Sequence, residues 1–144
     1  MPTNIRPATQ QDARAIWALN TQSLGYSFPE DATTERLDVV LSKPTNTLFV
    51  AESDGEVLGY IHIVDYDGCY FGPHKDVIAL AVLPTAQGKG IGRALLDAAE
   101  ARAKADGCNG MRLNSGFGRE GAHRFYEACG YHNRKDQKNY VKAF

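Results

Sequence analysis

The chain has 144 residues, of which 43% are hydrophobic, and a formal net charge of -1 at pH 7. This length and composition are typical of one globular domain that buries about two-thirds of its unfolded surface. The balanced charge argues against nucleic acid as a partner. The sequence has neither an apolar signal core nor an apolar run of about 18 residues, which argues against export and against a membrane partner. We therefore expect a single domain over residues 1–144, located in the cytoplasm.

The cysteines point to the same compartment. Cys69, Cys108 and Cys129 are odd in number and lack paired spacing. They predict neither a disulfide framework nor a zinc site, and we expect no metal. A reducing environment fits this pattern best.

The first third of the chain predicts a strand and two helices joined by an aromatic loop. Residues 3–8 form the expected strand. Thr9 followed by Asp12 is typical of a helix start, because both side chains can cap free amides. The loop at residues 24–29 contains Tyr26 and Phe28. These rings either pack the loop onto the surface or form part of a substrate-binding wall.

Two strands are predicted at residues 46–52 and 57–65. Asp54-Gly55 between them is a strong signal for a hairpin turn. His62 falls within the second strand, where the pattern favours a structural histidine over a catalytic one. A loop rich in acids and aromatics follows, and it includes Asp65, Asp67 and Tyr70.

The stretch from Asp76 to Asp106 predicts a strand, a glycine-rich turn and a helix. Residues 77–83 are all apolar, which indicates a strand covered on both faces. Three glycines then occupy alternate positions between 88 and 92, directly before the helical pattern. The free amides and the partial positive charge of a helix N-terminus favour an anion there, and the expected anion is a phosphate.

Of three phosphate-binding motifs with glycines at similar spacing, two do not match this loop. A Walker A motif does not match, and a dinucleotide fingerprint fails because Arg93 occupies the last position counted from Gly88. The pattern Gln/Arg-x-x-Gly-x-Gly/Ala is met by Gln87, Gly90 and Gly92. The segment thus resembles the acyl-CoA pyrophosphate loop of the GNAT superfamily of N-acetyltransferases. The alternative is a glycine-rich turn that binds no ligand.

The C-terminal part of the chain contains a second signature. It predicts a strand at residues 111–114, a helix at 119–128, and two final strands at 131–134 and 138–144. Within it, residues 122–131 resemble the closing GNAT signature Ala-x-x-Phe-Tyr-x-x-x-Gly-Phe/Tyr. Both signatures occur in the order and separation of that superfamily.

The resemblance implies an α/β fold and a co-substrate. The expected fold is GNAT-like, with a mixed, mostly antiparallel central sheet, a splayed middle strand and flanking helices. Acetyl-CoA is the implied co-substrate. Lys89 and Arg93 either add charge to its site or are solvated helix residues. Arg119 either pairs with a CoA phosphate or simply begins the helix, and Asn114 is an alternative contact. The full set of implied cofactor-binding residues is Leu80, Ala81, Val82, Gln87, Gly88, Lys89, Gly90, Ile91, Gly92, Arg93, Asn114 and Arg119.

The resemblance also implies direct attack of an amine on the thioester, without an acyl-enzyme. Tyr126 lies where the superfamily places a tyrosine beside the thioester sulfur, and we expect it to be the general acid. A core position for its ring is the alternative. Many relatives have a glutamate in the central strand, whereas this chain has apolar residues there. The base is therefore open between Asp76, His74 and a water relay.

The acceptor is expected to be the amine of a small molecule. If the two aromatic loops meet over the thioester, Tyr26, Phe28, Asp65, Asp67 and Tyr70 would form a pocket for a cationic amine. Acetylation of a protein N-terminus or lysine is an alternative, and so is a non-catalytic module that binds acyl-CoA. A homodimer is also compatible with the sequence.

Overall fold

The structure is a computed structural model that describes residues 2–144. Its strands and helices alternate in the way that the sequence pattern predicts for most of the chain. In chain order they are β1 (Asn4–Pro7), α1 (Ala13–Gln22), α2 (Glu30–Ser42), β2 (Asn46–Ser53), β3 (Glu56–Tyr66), β4 (His74–Val82), α3 (Ile91–Ala105), β5 (Gly110–Leu113) and α4 (Glu120–Ala128).

The chain divides into two compact units. The first extends to Leu113 and contains the whole sheet with α1, α2 and α3, and the second is Asn114–Phe144, which contains α4. One domain over residues 1–144 therefore stays a prediction. None of the helices within residues 2–144 is long and apolar enough to cross a membrane.

The sheet has five strands in the order β1-β2-β3-β4-β5. The first three pairings are antiparallel, and the pairing of β4 with β5 is parallel. This confirms the predicted mixed, mostly antiparallel sheet. The turn between β2 and β3 has positive φ at Asp54 (52°) and Gly55 (79°), as the Asp-Gly signal predicts for a tight hairpin.

The ladder between β4 and β5 is short. It runs from His74 opposite Gly110 to Val77 opposite Leu113 and then ends, whereas β4 stays paired with β3 as far as Val82. A bulge falls at Ile78, where the β3–β4 register shifts. Ile78 is 54% exposed, so the prediction of a strand covered on both faces is wrong at this residue. The extra residue of a bulge bends its strand, which fits the predicted splay.

The two faces of the sheet are covered by different helices. On one face, α1 and α2 contribute Ile16, Leu19 and Leu37 to a core cluster that includes Tyr60 and Ala81. On the other face, α3 lies close to β3. A Cβ placed on Gly59 would be only 3.1 Å from the Leu95 side chain. Since side chains alternate along a strand, each residue of β3 and β4 can be assigned to one face.

The two strands predicted at residues 131–134 and 138–144 are wrong. The structure has no strand in either range. Tyr140 is 83% exposed and lies among exposed neighbours. Asp136 is followed by Gln137, whereas Asp54 in the β2–β3 turn is followed by a glycine, so the signal for a tight hairpin turn is incomplete here. An isolated two-stranded hairpin is also marginal in water, so local propensity alone does not form it.

An ion pair joins the first strand to the start of α1. Arg6 donates from Nη1 and Nη2 to both carboxylate oxygens of Asp12, each at 2.9 Å, and from Nη2 to Glu52 at 3.0 Å. The Thr9 backbone N–H donates to the same Asp12 carboxylate at 2.8 Å, which confirms the predicted helix start. Asp12 is buried, and these hydrogen bonds compensate for its loss of water.

We expect Asp12→Asn to reduce stability in a pH-dependent manner. The hydrogen bonds from Arg6 hold the pKa of Asp12 below its ordinary value. The stabilisation is therefore complete above the unfolded pKa of about 3.9 and is lost as the pH falls below it. Urea unfolding at pH 7 should show a loss of about 1–3 kcal/mol, which shrinks at pH 3. Equal losses for Asp12→Asn and for the control Asp38→Asn, at an exposed position of α2, would contradict this account.

Candidate functional site

The glycine loop between β4 and α3 is held in a conformation that its glycines make accessible. Gly88 and Gly90 have φ values of 79° and 82°, in the left-handed region, which costs other residues energy. Gln87 folds back, and its Nε2 donates to Val82 O at 3.3 Å. Gly90 is the N-cap of α3, and its carbonyl accepts from Ala94 N–H at 3.0 Å. The loop is thus closed at both ends by hydrogen bonds.

The surface of this loop is open. A Cβ placed on Gly88 or Gly90 would have no heavy atom beyond its chain neighbours within 4 Å. The first amides of α3, which begins at Ile91, have no acceptor within the helix. A ligand can therefore approach the backbone closely, and an anionic group would meet both amide hydrogens and the positive end of the helix.

Two cations flank the loop. Lys89 is exposed and forms no ion pair within residues 2–144. Arg93 Nε lies 3.8 Å from Asp97 Oδ1, and both side chains are exposed. Such a surface pair contributes little, so Arg93 can turn towards an anion at small cost. Their roles at the loop stay predictions.

The open edge of β4 leads directly to this loop. From Leu80 to Val82 the strand pairs with β3 on one side, and the β5 ladder has already ended on the other. Backbone groups of this stretch that point away from β3 therefore have no strand partner within residues 2–144. An extended ligand could form ladder-like hydrogen bonds there. The edge and the loop form one continuous set of main-chain groups.

The start of β4 has an ion pair on the face that carries α1 and α2. Arg112 on β5 donates from Nη1 to Asp76 Oδ1 at 2.8 Å. The guanidinium carbon also lies 4.4 Å from the centroid of the Tyr66 ring. Burial raises the pKa of Asp76, and Arg112 opposes this effect. His74 Nδ1 is 2.7 Å from Gly72 O.

The loop acids lie on the opposite face. Asp65 precedes Tyr66 in β3, so the two side chains point to opposite faces of the sheet. Asp65 accepts a hydrogen bond from the Lys75 ammonium at 2.6 Å, and the same ammonium donates to Asp106 at 2.7 Å. Lys75 is only 4% exposed. Asp65 and Asp67 line a cavity of about 300 Å³ together with these residues. A substrate role for Asp65 stays a prediction, and its ion pair argues against it.

The aromatic residues of the first loop lie on the α1 and α2 side. Phe28 O accepts from the Trp17 indole N–H at 3.0 Å. Phe28 also lines a cavity of about 130 Å³ with residues of α1, α2 and β3. Tyr26 is 62% exposed and Tyr70 is 91% exposed. The structure therefore does not bring Tyr26 and Phe28 together with Asp65 and Asp67.

The second unit contains the expected general acid. Tyr126 on α4 is half-buried, with edge-on ring contacts to Phe125 at 5.2 Å and Tyr131 at 5.9 Å between centroids. Burial raises the pKa of Tyr126, and the nearby Arg119 opposes this effect. Arg119 directly precedes α4, and Asn114 begins this unit. The phenol therefore stays protonated at neutral pH and can donate.

Two residues of the β4 region were not singled out by sequence alone. Arg112 pairs with Asp76 because the parallel register places them opposite each other. Lys75 lies at the edge of an apolar run, and its buried ammonium is paired with the carboxylates of Asp65 and Asp106. The only sequence signal for either pair is opposite charge, and register and distance are needed to interpret it.

Comparison with known proteins gives consistent similarities. The model of the acetyltransferase (GNAT) family matches residues 13–131. The aminoglycoside N(6')-acetyltransferase type 1 of Stenotrophomonas maltophilia is 34% identical over 88% of this chain and 84% of its own length. The aminoalkylphosphonate N-acetyltransferase of Salmonella typhimurium is 30% identical over 88% and 83%. A solved structure of AAC(6')-Iy with the bisubstrate analogue CoA-S-monomethyl-acetylneamine has a TM-score of 0.88 at 20% identity and covers 100% of both chains.

We expect Lys75→Met to destabilise the first unit. Methionine retains most of the aliphatic stem but leaves the carboxylates of Asp65 and Asp106 without their ammonium. The midpoint of thermal unfolding should fall by several degrees. Lys104→Met, at an exposed position in the last turn of α3, provides the matched control. Equal midpoints for the two variants would show that the buried ion pairs contribute nothing.

Proposed function

The chain belongs to the GNAT acetyltransferase family, and from this premise we propose that it transfers the acetyl group of acetyl-CoA to a primary amine of a small molecule by direct attack. The observation that supports this most is the open edge of β4, which leads into the glycine loop at the N-terminus of α3. Main-chain donors in this arrangement suit a long, polar thioester that ends in a pyrophosphate.

The donor is assigned to groups of the first unit. The amides from Gly88 to Arg93 hold the pyrophosphate, because the left-handed glycines leave the backbone uncovered. The edge from Leu80 to Val82 bonds the pantetheine. The thioester then lies further back along β4, towards Ile78. This order follows from the position of the loop at the end of the strand.

The reaction needs two proton transfers, one from the amine and one to the thiolate that leaves. An alkyl amine, with a pKa near that of lysine at about 10.4, must lose a proton before or during attack. The thiolate that leaves resembles that of cysteine, whose pKa is about 8.5, and leaves more readily when protonated. We assign this protonation to Tyr126, which burial keeps in the neutral form.

Two side chains in the paired part of β4, Asp76 and His74, are candidates for the general base. Asp76 is bound to Arg112, which holds its carboxylate but also occupies one oxygen. His74 has one ring nitrogen bonded to Gly72 O. Neither residue is free of competing partners. We therefore retain a water relay as the route by which the proton leaves.

The acceptor class is supported by the names of the relatives. The two relatives described above are named for small molecules that carry amines, one an aminoglycoside and one an aminoalkylphosphonate. These support a small-molecule acceptor over a protein N-terminus or lysine. The two classes differ in charge, since only the second carries a phosphonate. The family match and the tyrosine at position 126 favour an enzyme over the non-catalytic acyl-CoA-binding alternative.

A panel of amines tests this function. The protein is incubated with acetyl-CoA and with amino sugars, diamines, aminoalkylphosphonates or a lysine-containing peptide, and released thiol is measured together with the acetylated product. Amine-dependent thiol release with a small molecule is the expected result. Release with the peptide alone, or with no amine at all, would contradict the proposal.

A substitution in the glycine loop tests the site assigned to the pyrophosphate. Gly90→Val places a branched side chain at a φ of 82° on the surface assigned to the pyrophosphate. Acetyl-CoA binding, measured by calorimetry, should weaken at least tenfold. Ala98→Val on α3 controls for an added side chain elsewhere on the same helix. Unchanged affinity in a folded Gly90→Val protein would remove the loop from the donor site.

The tyrosine is tested by removal of one oxygen. Tyr126→Phe retains the ring and its contacts with Phe125 and Tyr131 but cannot donate a proton. The kcat should fall by about 10²–10⁴-fold, and the affinity for acetyl-CoA should change little. A fall of less than a few-fold would indicate that Tyr126 acts only in packing.

A further inference from the structure

A histidine on β3 lies beside the part of β4 where the thioester would end. The pyrophosphate is assigned to the loop after β4 and the pantetheine to Leu80–Val82, so the acetyl end would lie near Ala79. His62 is the cross-strand partner of Ala79, and such partners project to the same face with Cβ atoms about 5 Å apart. We infer that His62 receives the proton of the attacking amine through one water molecule. This inference rests on the acetyl transfer proposed above.

Hydrogen bonds around the imidazole determine which nitrogen carries the hydrogen. The Asn46 amide Nδ2 donates to Val40 O at 3.2 Å, and Asn46 Oδ1 lies 2.9 Å from His62 Nε2. An amide oxygen only accepts, so Nε2 must be the donor. No hydrogen bond to Nδ1 is formed within residues 2–144. Its lone pair is therefore available for a proton.

A cavity beside His62 has room for ordered water. His62 lines the cavity of about 130 Å³ on the α1 and α2 face, together with Asn20 and Tyr60. A liquid water occupies about 30 Å³, so this space admits several molecules. The Tyr60 hydroxyl donates to Asn20 Oδ1 at 2.5 Å. These polar atoms supply the partners that an ordered water requires.

The charges on this face are compatible with His62 as an uncharged proton acceptor. Burial lowers the pKa of His62 to about 4, so the imidazole is uncharged at pH 7. Arg36 lines the cavity from α2, and Asp76 lies on the same face of β4. Tyr60 stays protonated because burial raises its pKa to about 12. The imidazolium is therefore transient and passes its proton on to solvent.

The step is balanced without a further reactant. The neutral form of the amine attacks the thioester carbon, which makes its N–H far more acidic than that of the free ammonium, and this N–H bond then breaks with its electron pair left on the nitrogen. The water accepts this proton and gives one of its own to Nδ1, so that a new N–H bond forms. The resulting imidazolium keeps its Nε2–H bond to Asn46. Solvent in the cavity then takes up the proton.

Two variants of His62 test the transfer. His62→Gln should lower kcat by about 10²-fold and leave the KM for acetyl-CoA within twofold, because glutamine cannot take up the proton. Added imidazole should restore at least a tenth of the wild-type kcat to His62→Ala, in a saturable manner. The matched control is His132→Gln, at an exposed position, which should keep its kcat and not respond to imidazole. A folded His62→Gln protein with a kcat within threefold of wild type would overturn the inference.

A measurement on the wild-type protein separates this inference from the proposed function. Nitrogen NMR of the His62 ring at pH 7 should show a hydrogen on Nε2 and none on Nδ1. A hydrogen on Nδ1 would overturn the inference even if acetyl transfer is observed. Because this measurement uses the wild-type protein, it tests the inference even if the variants do not fold. If the wild-type protein acetylates no amine of the panel, the proposed function fails and the inference fails with it.

Discussion

The site depends on where the parallel ladder between β4 and β5 stops. Beyond Val77 and Leu113 the two strands no longer pair, and the bulge at Ile78 lies directly after this point. Buried or half-buried peptide groups without partners are costly in a folded protein. An unpaired stretch in the middle of a sheet therefore favours a ligand that can supply those hydrogen bonds. The glycine loop at the end of β4 extends the same main-chain surface to a helix N-terminus.

Charge pairs fix the beginning of β4 on both of its faces. Lys75 joins β4 to the end of α3 on one face, and Asp76 joins it to Arg112 of β5 on the other. Consecutive residues of a strand point to opposite sides, so two adjacent side chains connect β4 to three other elements, which are β3, α3 and β5. This arrangement anchors the paired half of β4, while the half beyond the bulge keeps its edge open.

The sequence predicted most of the secondary structure and the family, because its signals are local. Hairpin turns, helix caps and the spacing of Gln87, Gly90 and Gly92 each lie within a few residues. Pairings such as Asp65 with Lys75 depend on register and on which face a side chain occupies, and a pattern along the chain does not give these. The two C-terminal strands were overpredicted for the same reason, since strand propensity does not identify a partner strand. The roles assigned to Tyr126 and the loop residues stay predictions.

The open edge of β4 has a consequence for how this protein can vary. Recognition from Leu80 to Val82 would be carried by peptide groups, which every residue except proline possesses. Side chains at these positions can then be exchanged without loss of a hydrogen bond, provided that the strand is kept. Sequences could therefore drift widely while the donor stays the same, whereas a change in acceptor needs only new side chains elsewhere. A fold that recognises the acetyl donor through its backbone leaves its side chains free to diversify for the amine that accepts the acetyl group.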